Sequence, residues 1–143
     1  MIITIDSIKA LIRALQETTS LAYIALDQGQ CDEYLDELKH PPIKTPALLI
    51  APEGEERCNE DKEWDRYRAD LTLRLYVNLP LIASSAAPDR HLESYAHYLA
   101  LIDEVIKAAQ KEGWRLEGYK AGARVESLQE TRIQLAREEW ADG

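Results

Sequence analysis

Between Asp65 and Pro80 the chain reads DRYRADLTLRLYVNLP. Tyr67, Ala69, Leu71, Leu73, Leu75, Val77 and Leu79 fall on odd positions, and Arg66, Arg68, Asp70, Thr72, Arg74, Tyr76 and Asn78 on even ones. Successive side chains of a strand point to opposite faces, so this alternation predicts a long strand with one face in a core and a polar face opposite. Other stretches repeat with the period of a helix. Ile8, Leu11, Ile12 and Leu15 follow Asp6, a residue suited to cap a helix, and predict a first helix over 6–17. Leu92, Tyr95, Leu99, Ile102, Ile106 and Ala109, flanked by Tyr98, Leu101 and Val105, predict a second helix that starts at Pro88 or Asp89 and is closed by Gly113.

Shorter apolar runs complete the pattern. SLAYIAL (20–26) and TPALLIAP (45–52), the latter with a proline at each margin, predict two more strands, and a last strand is expected around 131–137. CDEYLDELKHPP holds at most one or two helical turns before its double proline. EGEERCNEDKEW, almost purely polar, reads as an exposed, mobile loop, and PLIASSAAPD as a second loop. Gly118 and Gly122 read as turn points. The sum is a single α+β domain over residues 1–143: a mostly antiparallel or mixed four-stranded sheet with helices packed on one face. A chain of 143 residues buries enough surface to fold without staples.

Charge narrows the function classes. With 26 acidic against 17 basic residues and a net charge of -9, the chain is ill suited to gripping a phosphate backbone, so no specific nucleic-acid binding is expected. No run approaches a membrane span, and MIITIDSIKALIRAL has neither the basic start nor the cleavage site of a secretion signal. A cytosolic protein with no membrane association is expected. Cys31 and Cys58 have no metal or redox spacing and read as free thiols.

Candidate chemistry is sparse. His91 and His97, six apart on a helix, point in different directions and cannot share an ion, and His40 sits beside Pro41 in a loop. The acids of 53–65 lack the alternating spacing that wraps calcium. No nucleophile elbow, phosphate loop or dinucleotide fingerprint occurs. No catalytic residue, metal or cofactor is therefore expected. Three Trp and seven Tyr without a single Phe mean that every aromatic ring carries a polar tip, which suits half-wet interfaces.

Taken in order, the helix, the strand, the acidic segment, PPIKTPALLIAPEGEE, a charged loop, ADLTLRLYVNL, a small-residue loop, YAHYLALIDEVIKAAQ and TRIQLARE resemble the small tail-assembly proteins of tailed phages and prophages. The likeness is to the tail terminator or tail completion group, including the Mu-like minor tail family. It is carried by Pro46–Ile50, Leu71–Val77 and Leu101–Val105 and covers most of the chain. The Cys31–Lys39 stretch departs from it in being more acidic.

That resemblance implies a structural role and no enzyme activity. Such proteins form rings, commonly of six, that cap the tail tube and help join it to the head. The implied partners are further copies of the chain, the tail tube protein and head–tail connector proteins, with assembly in the cytoplasm and residence in the virion tail. Arg66, Arg68, Arg74, Tyr76 and Trp64 on and beside the polar face of the long strand are then the candidate interface, since Arg, Tyr and Trp are favoured there. Two other classes fit the same composition: a host protein–protein interaction module without catalysis, and a small-molecule enzyme whose site matches no recognisable motif.

Overall fold

The computed structural model describes residues 2–31, 44–59, 64–79, 88–125 and 127–142. Among them are two helices and five strands: α1 (Ile5–Thr18), β1 (Tyr23–Leu26), β2 (Ala47–Asn59), β3 (Trp64–Asn78), α2 (Pro88–Lys111), β4 (Arg115–Val125) and β5 (Leu128–Asp142). The strands form one sheet in the order β1-β2-β3-β5-β4. β1 runs parallel to β2, and the other three pairings are antiparallel. The α+β class and the mixed, mostly antiparallel sheet are as the sequence predicts, but there are five strands rather than four.

The long alternating strand is β3. Leu71, Leu73 and Leu75 on its odd face are buried with Leu48 and Ile50 of β2 and Ile133 and Leu135 of β5. Ile8, Leu11 and Leu15 of α1 and Leu101, Ile102, Val105 and Ile106 of α2 close over them, which places both helices on one face of the sheet. Two polar groups inside this layer satisfy each other: the buried Tyr98 hydroxyl is hydrogen-bonded to the Thr131 hydroxyl.

Caps fix the helix ends. α1 is capped by Thr4 rather than Asp6. Thr4 is extended (φ -131°), its hydroxyl accepts from the Ser7 amide at 3.1 Å, and its own amide donates to the Ser7 hydroxyl at 2.8 Å. Asp6 stands instead in the first turn, where a negative charge meets the positive end of the helix. α2 ends at Gly113 as expected. The glycine has φ 90°, its amide donates to the Gln110 carbonyl, and the Trp114 amide reaches back to the Ala109 carbonyl, which satisfies two orphan acceptors. The α2 stripe is only partly as expected, for Leu92, Tyr95 and Leu99 are exposed and the buried side is Tyr98, Leu101, Ile102, Val105, Ile106, Ala108 and Ala109.

Three expectations fail for one reason: strands reach further than apolar runs. Residues 53–59 are not a loop. They continue β2, paired with β3 from Gly54↔Asp70 to Asn59↔Asp65 after a bulge between Pro52 and Gly54. Two of their charges meet opposite charges on the partner strand: Glu56 stands opposite Arg68, and the Arg57 guanidinium is held on the Asp65 carboxylate. Glu55 also accepts the Ile2 and Ile3 amides at 2.6 and 2.7 Å, tying this stretch to the start of α1. Gly118 and Gly122 are not turn points either but lie within β4, beside register shifts at Leu116/Gly118 and Ala121/Arg124. The last strand runs from Leu128 to Asp142, well past 131–137. The expected turns within 32–42, the acidic residues 60–63 and the loop over 80–87 lie outside the described residues.

Candidate functional site

Among the described residues no helix lies on the even face of β3. At one end a small apolar cluster covers it, in which Tyr76 is buried with Ala47, Leu49, Cys31 and Leu128. Next along the strand is an ionic network centred on Glu130, which register places opposite Tyr76 and whose side chain is 0% exposed. Glu130 accepts from Arg74 Nη2 at 3.0 Å, from the Tyr76 hydroxyl at 3.0 Å and from Arg132 Nε at 2.5 Å. Arg74 also donates to Asp27, at 2.8 Å, and its guanidinium lies 5.5 Å from the centre of the Tyr76 ring. Asp27 is positioned by β1: it follows Leu26, and its amide donates to the Ile50 carbonyl.

Further along, Arg68 gathers Asp70 at 3.1 Å, Glu117 at 3.3 Å and Glu138 at 3.3 Å, and Arg115 also holds Glu117 at 2.9 Å. Between the two networks lies a hollow of about 450 Å³ edged by Asp27, Glu53, Thr72, Arg74, Arg132 and Gln134. A neighbouring one of about 440 Å³ reaches Arg68, Asp70 and Glu117. Trp140, opposite Arg66, stands exposed at the far end of this face.

The electrostatics of the network hold each group in one protonation state. Burial acts to raise the Glu130 carboxyl, but hydrogen bonds from Arg132 and Arg74 and the Arg74 charge outweigh it, leaving it below the ordinary carboxylate range. Asp27 is lowered in the same way, with burial overcome by Arg74 and the Gly29 amide. Burial and the Glu130 charge push the Tyr76 phenol upward. A general acid or base working near neutrality needs its pKa moved toward 7. Here the carboxylates move down and the phenol up, so the network is a fixed framework of charges rather than a proton relay.

The five sequence-predicted interface residues meet different fates. Tyr76 is 0% exposed and has no surface to offer a neighbour. The Arg74 side chain is 12% exposed and committed to Asp27 and Glu130. The Arg68 side chain, 31% exposed, reaches the surface but already has three acidic partners in its own chain. Arg66 is half-buried on the same face, opposite Trp140. Trp64 opens β3 opposite Asp142, and its side chain lies outside what is described.

Sequence reasoning missed Glu130, Asp27 and Arg132. The signal was present in QETRIQLARE, where Glu130, Arg132, Gln134 and Glu138 alternate as the even residues of β3 do. Among the described residues no group of three or more His, Cys, Asp or Glu is placed to hold a metal ion, and no helix is long and apolar enough to cross a membrane. Both described cysteines are free thiols, Cys31 buried and Cys58 half-buried. No protein-family model matches this chain, and no curated protein matches it either.

Proposed function

We propose that the protein is a structural subunit of a phage or prophage tail, of the tail terminator or tail completion kind, working as one member of a ring that closes the tail tube and helps join it to the head. The observation that carries this reading is the one-sided cover of the sheet. Both described helices lie on one face, and the other is a broad polar surface at whose centre Arg68 and Arg74 are matched to acids in place. Such a surface is rigid, and it suits stacking on another protein layer better than enclosing a small molecule. The segments that carry the resemblance, Pro46–Ile50, Leu71–Val77 and Leu101–Val105, fall at the start of β2, in β3 and in the buried stretch of α2. The net charge of -9 supports the reading too, because an acidic lumen lets DNA pass without adhering.

On this reading the partners are further copies of the chain, the tail tube protein and head–tail connector proteins. Assembly takes place in the cytoplasm and the product stays in the virion tail. The test is to measure the mass of the purified protein by light scattering over a wide concentration range, alone and with tail tubes, and to image any large species by electron microscopy. Rings with a central channel, or rings capping tubes, are expected. A protein that stays monomeric at every concentration and leaves tube ends bare would overturn the proposal.

A further inference from the structure

We infer that neighbouring copies join edge to edge, the outer edge of β2 in one copy adding to the outer edge of β4 in the next, so that one sheet continues from subunit to subunit. The inference rests on the ring reading above and specifies its contact.

The first observation is where strand pairing stops. β1 covers β2 only from Ala47 to Ile50, so among the described residues nothing pairs with the outer side of Pro52–Asn59, although its inner side is paired with β3 to the end. β4 is the opposite margin of the sheet, and among the described residues it is paired on one side only. Each edge offers a row of backbone donors and acceptors, the usual template for adding a strand.

The second observation is charge. Glu53 and Glu56 on the β2 edge are exposed, and both lie on the face of Arg68, Thr72 and Arg74: Glu56 stands opposite Arg68, and Glu53 edges the hollow over Thr72 and Arg74. On the β4 edge Arg115 and Lys120, opposite Ala136 and Arg132, are exposed on that same face. Between them Glu117 pairs with Arg115 and Arg68, so on this face the edge sets two bases against one acid and stays net basic. A β2 edge meeting a second β2 edge would set acids against acids, and β4 against β4 would set bases against bases. Only the β2-to-β4 contact brings opposite charges onto one face of a continuous sheet, where cross-strand pairs are favourable.

The geometry agrees with closure. A contact between two different patches of the same chain propagates head to tail and ends in a ring when the rotation closes. β4 is antiparallel to β2 within the sheet, since it is antiparallel to β5, β5 to β3 and β3 to β2. Rotation about an axis running broadly along the strands keeps their sense, so the neighbour's β4 meets β2 antiparallel. Arg115 lies level with Gly54 across the sheet, so reaching Glu56–Asn59 needs a stagger between copies. A closed ring takes up such a stagger by tilting its strands, as barrels do at roughly 35–45°.

The experiment reverses one edge at a time. Glu53→Lys with Glu56→Lys changes the β2 edge, and Arg115→Glu with Lys120→Glu changes the β4 edge. Each protein is checked for native circular dichroism and melting, then for mass with and without tail tubes. Each is expected to lose the large species and stay a monomer. A 1:1 mixture of the two is expected to regain rings in which the variants alternate, because the basic β2 edge of one meets the acidic β4 edge of the other and the acidic β2 edge of the second meets the basic β4 edge of the first. The protein carrying all four changes is expected to regain rings, because its edges are complementary again.

If an edge variant fails to fold, Glu53→Gln with Glu56→Gln or Arg115→Gln with Lys120→Gln asks the same question, with at least a tenfold weaker assembly expected. Edge variants that form rings like the parent overturn the edge contact while leaving the ring reading standing. So do variants that form rings but no longer cap tubes, since the edge would then belong to the tube. A parent that never assembles, alone or on tubes, removes the ring reading and this inference together.

Discussion

On one face of β3, Leu71, Leu73 and Leu75 are sealed beneath α1 and α2, whereas on the other Tyr76 and Arg74 are almost as fully enclosed, by a small apolar cluster and by charge. The two faces share a backbone and a period but answer differently to change. The leucine face is held by non-directional burial, which accepts replacement of one apolar side chain by another of similar volume. The ionic face is held by matched donors and acceptors around Glu130, where removing one partner leaves the others enclosed and uncompensated.

The largest effect comes from putting the chemistry of one face into the other. Leu73→Asp places an unpaired charge among Leu48, Ile50 and Ile133, at a cost of several kcal/mol against a total stability of about 5–15 kcal/mol. The variant is expected to be unfolded at room temperature by circular dichroism. Leu73→Met keeps the volume and should lose less than about 1.5 kcal/mol. An Asp variant with the parent's melting temperature would take this face out of the core.

Glu130→Gln tests the opposite face. It removes the negative charge on which Arg74 and Arg132 converge, and about 3 kcal/mol or more of unfolding free energy should be lost by chemical denaturation. The dependence on pH sharpens the point. Glu130 and Asp27 have folded pKa values below their ordinary 4.5 and 3.8. Groups depressed in this way stabilise the fold fully above the unfolded value, and that contribution is lost as pH falls through the folded one. The gap in stability between parent and Glu130→Gln should therefore be constant above about pH 5.5 and narrow below 4.5. A gap that widens on acidification would mean that Glu130 is not held ionised by its neighbours.

The contrast between the faces also decides what could be read from the sequence. Odd-face leucines announce themselves because burial needs only apolarity at every second position, and the same rule marks the start of β2 and the buried half of α2. The ionic face does not, because an arginine bound for solvent and one bound for a buried carboxylate look alike until the partner strand is placed. Residues 53–59 illustrate this: alone they have little to bury, and as a strand they set Glu56 across from Arg68 and Arg57 against Asp65. A search for charges that complement one another about the 60–63 connection would have found the pairing. β4 was hidden by Gly118 and Gly122, which weaken a strand by propensity but here accompany its two register shifts. Leu92, Tyr95 and Leu99 satisfy the helical period yet are exposed, since periodicity locates a face of a helix and not how far along it the sheet extends.

The smallest expected effect probes how tightly the ionic face is closed. Gly122 of β4 lies against Glu130, and a Cβ added there would sit 2.8 Å from Oε1 and 3.3 Å from Cδ. The end of a glutamate can usually move aside. This one is tied by Oε1 to Arg132 and by Oε2 to Arg74 and Tyr76, so it cannot retreat without giving up a bond. Gly122→Ala should therefore cost about 1–2 kcal/mol, the scale of overpacking. Gly118→Ala, four residues earlier in the same strand, meets nothing within 4 Å and should be neutral, or stabilising by up to about 1 kcal/mol through the unfolded chain. The comparison isolates contact from propensity. Repeating Gly122→Ala in a Glu130→Ala background completes the cycle: with the carboxylate gone the methyl group has room, and its cost should vanish. If Gly122→Ala and Gly118→Ala behave alike in the parent, the glycine is not the lid on Glu130, and the ionic face is more open than its burial implies.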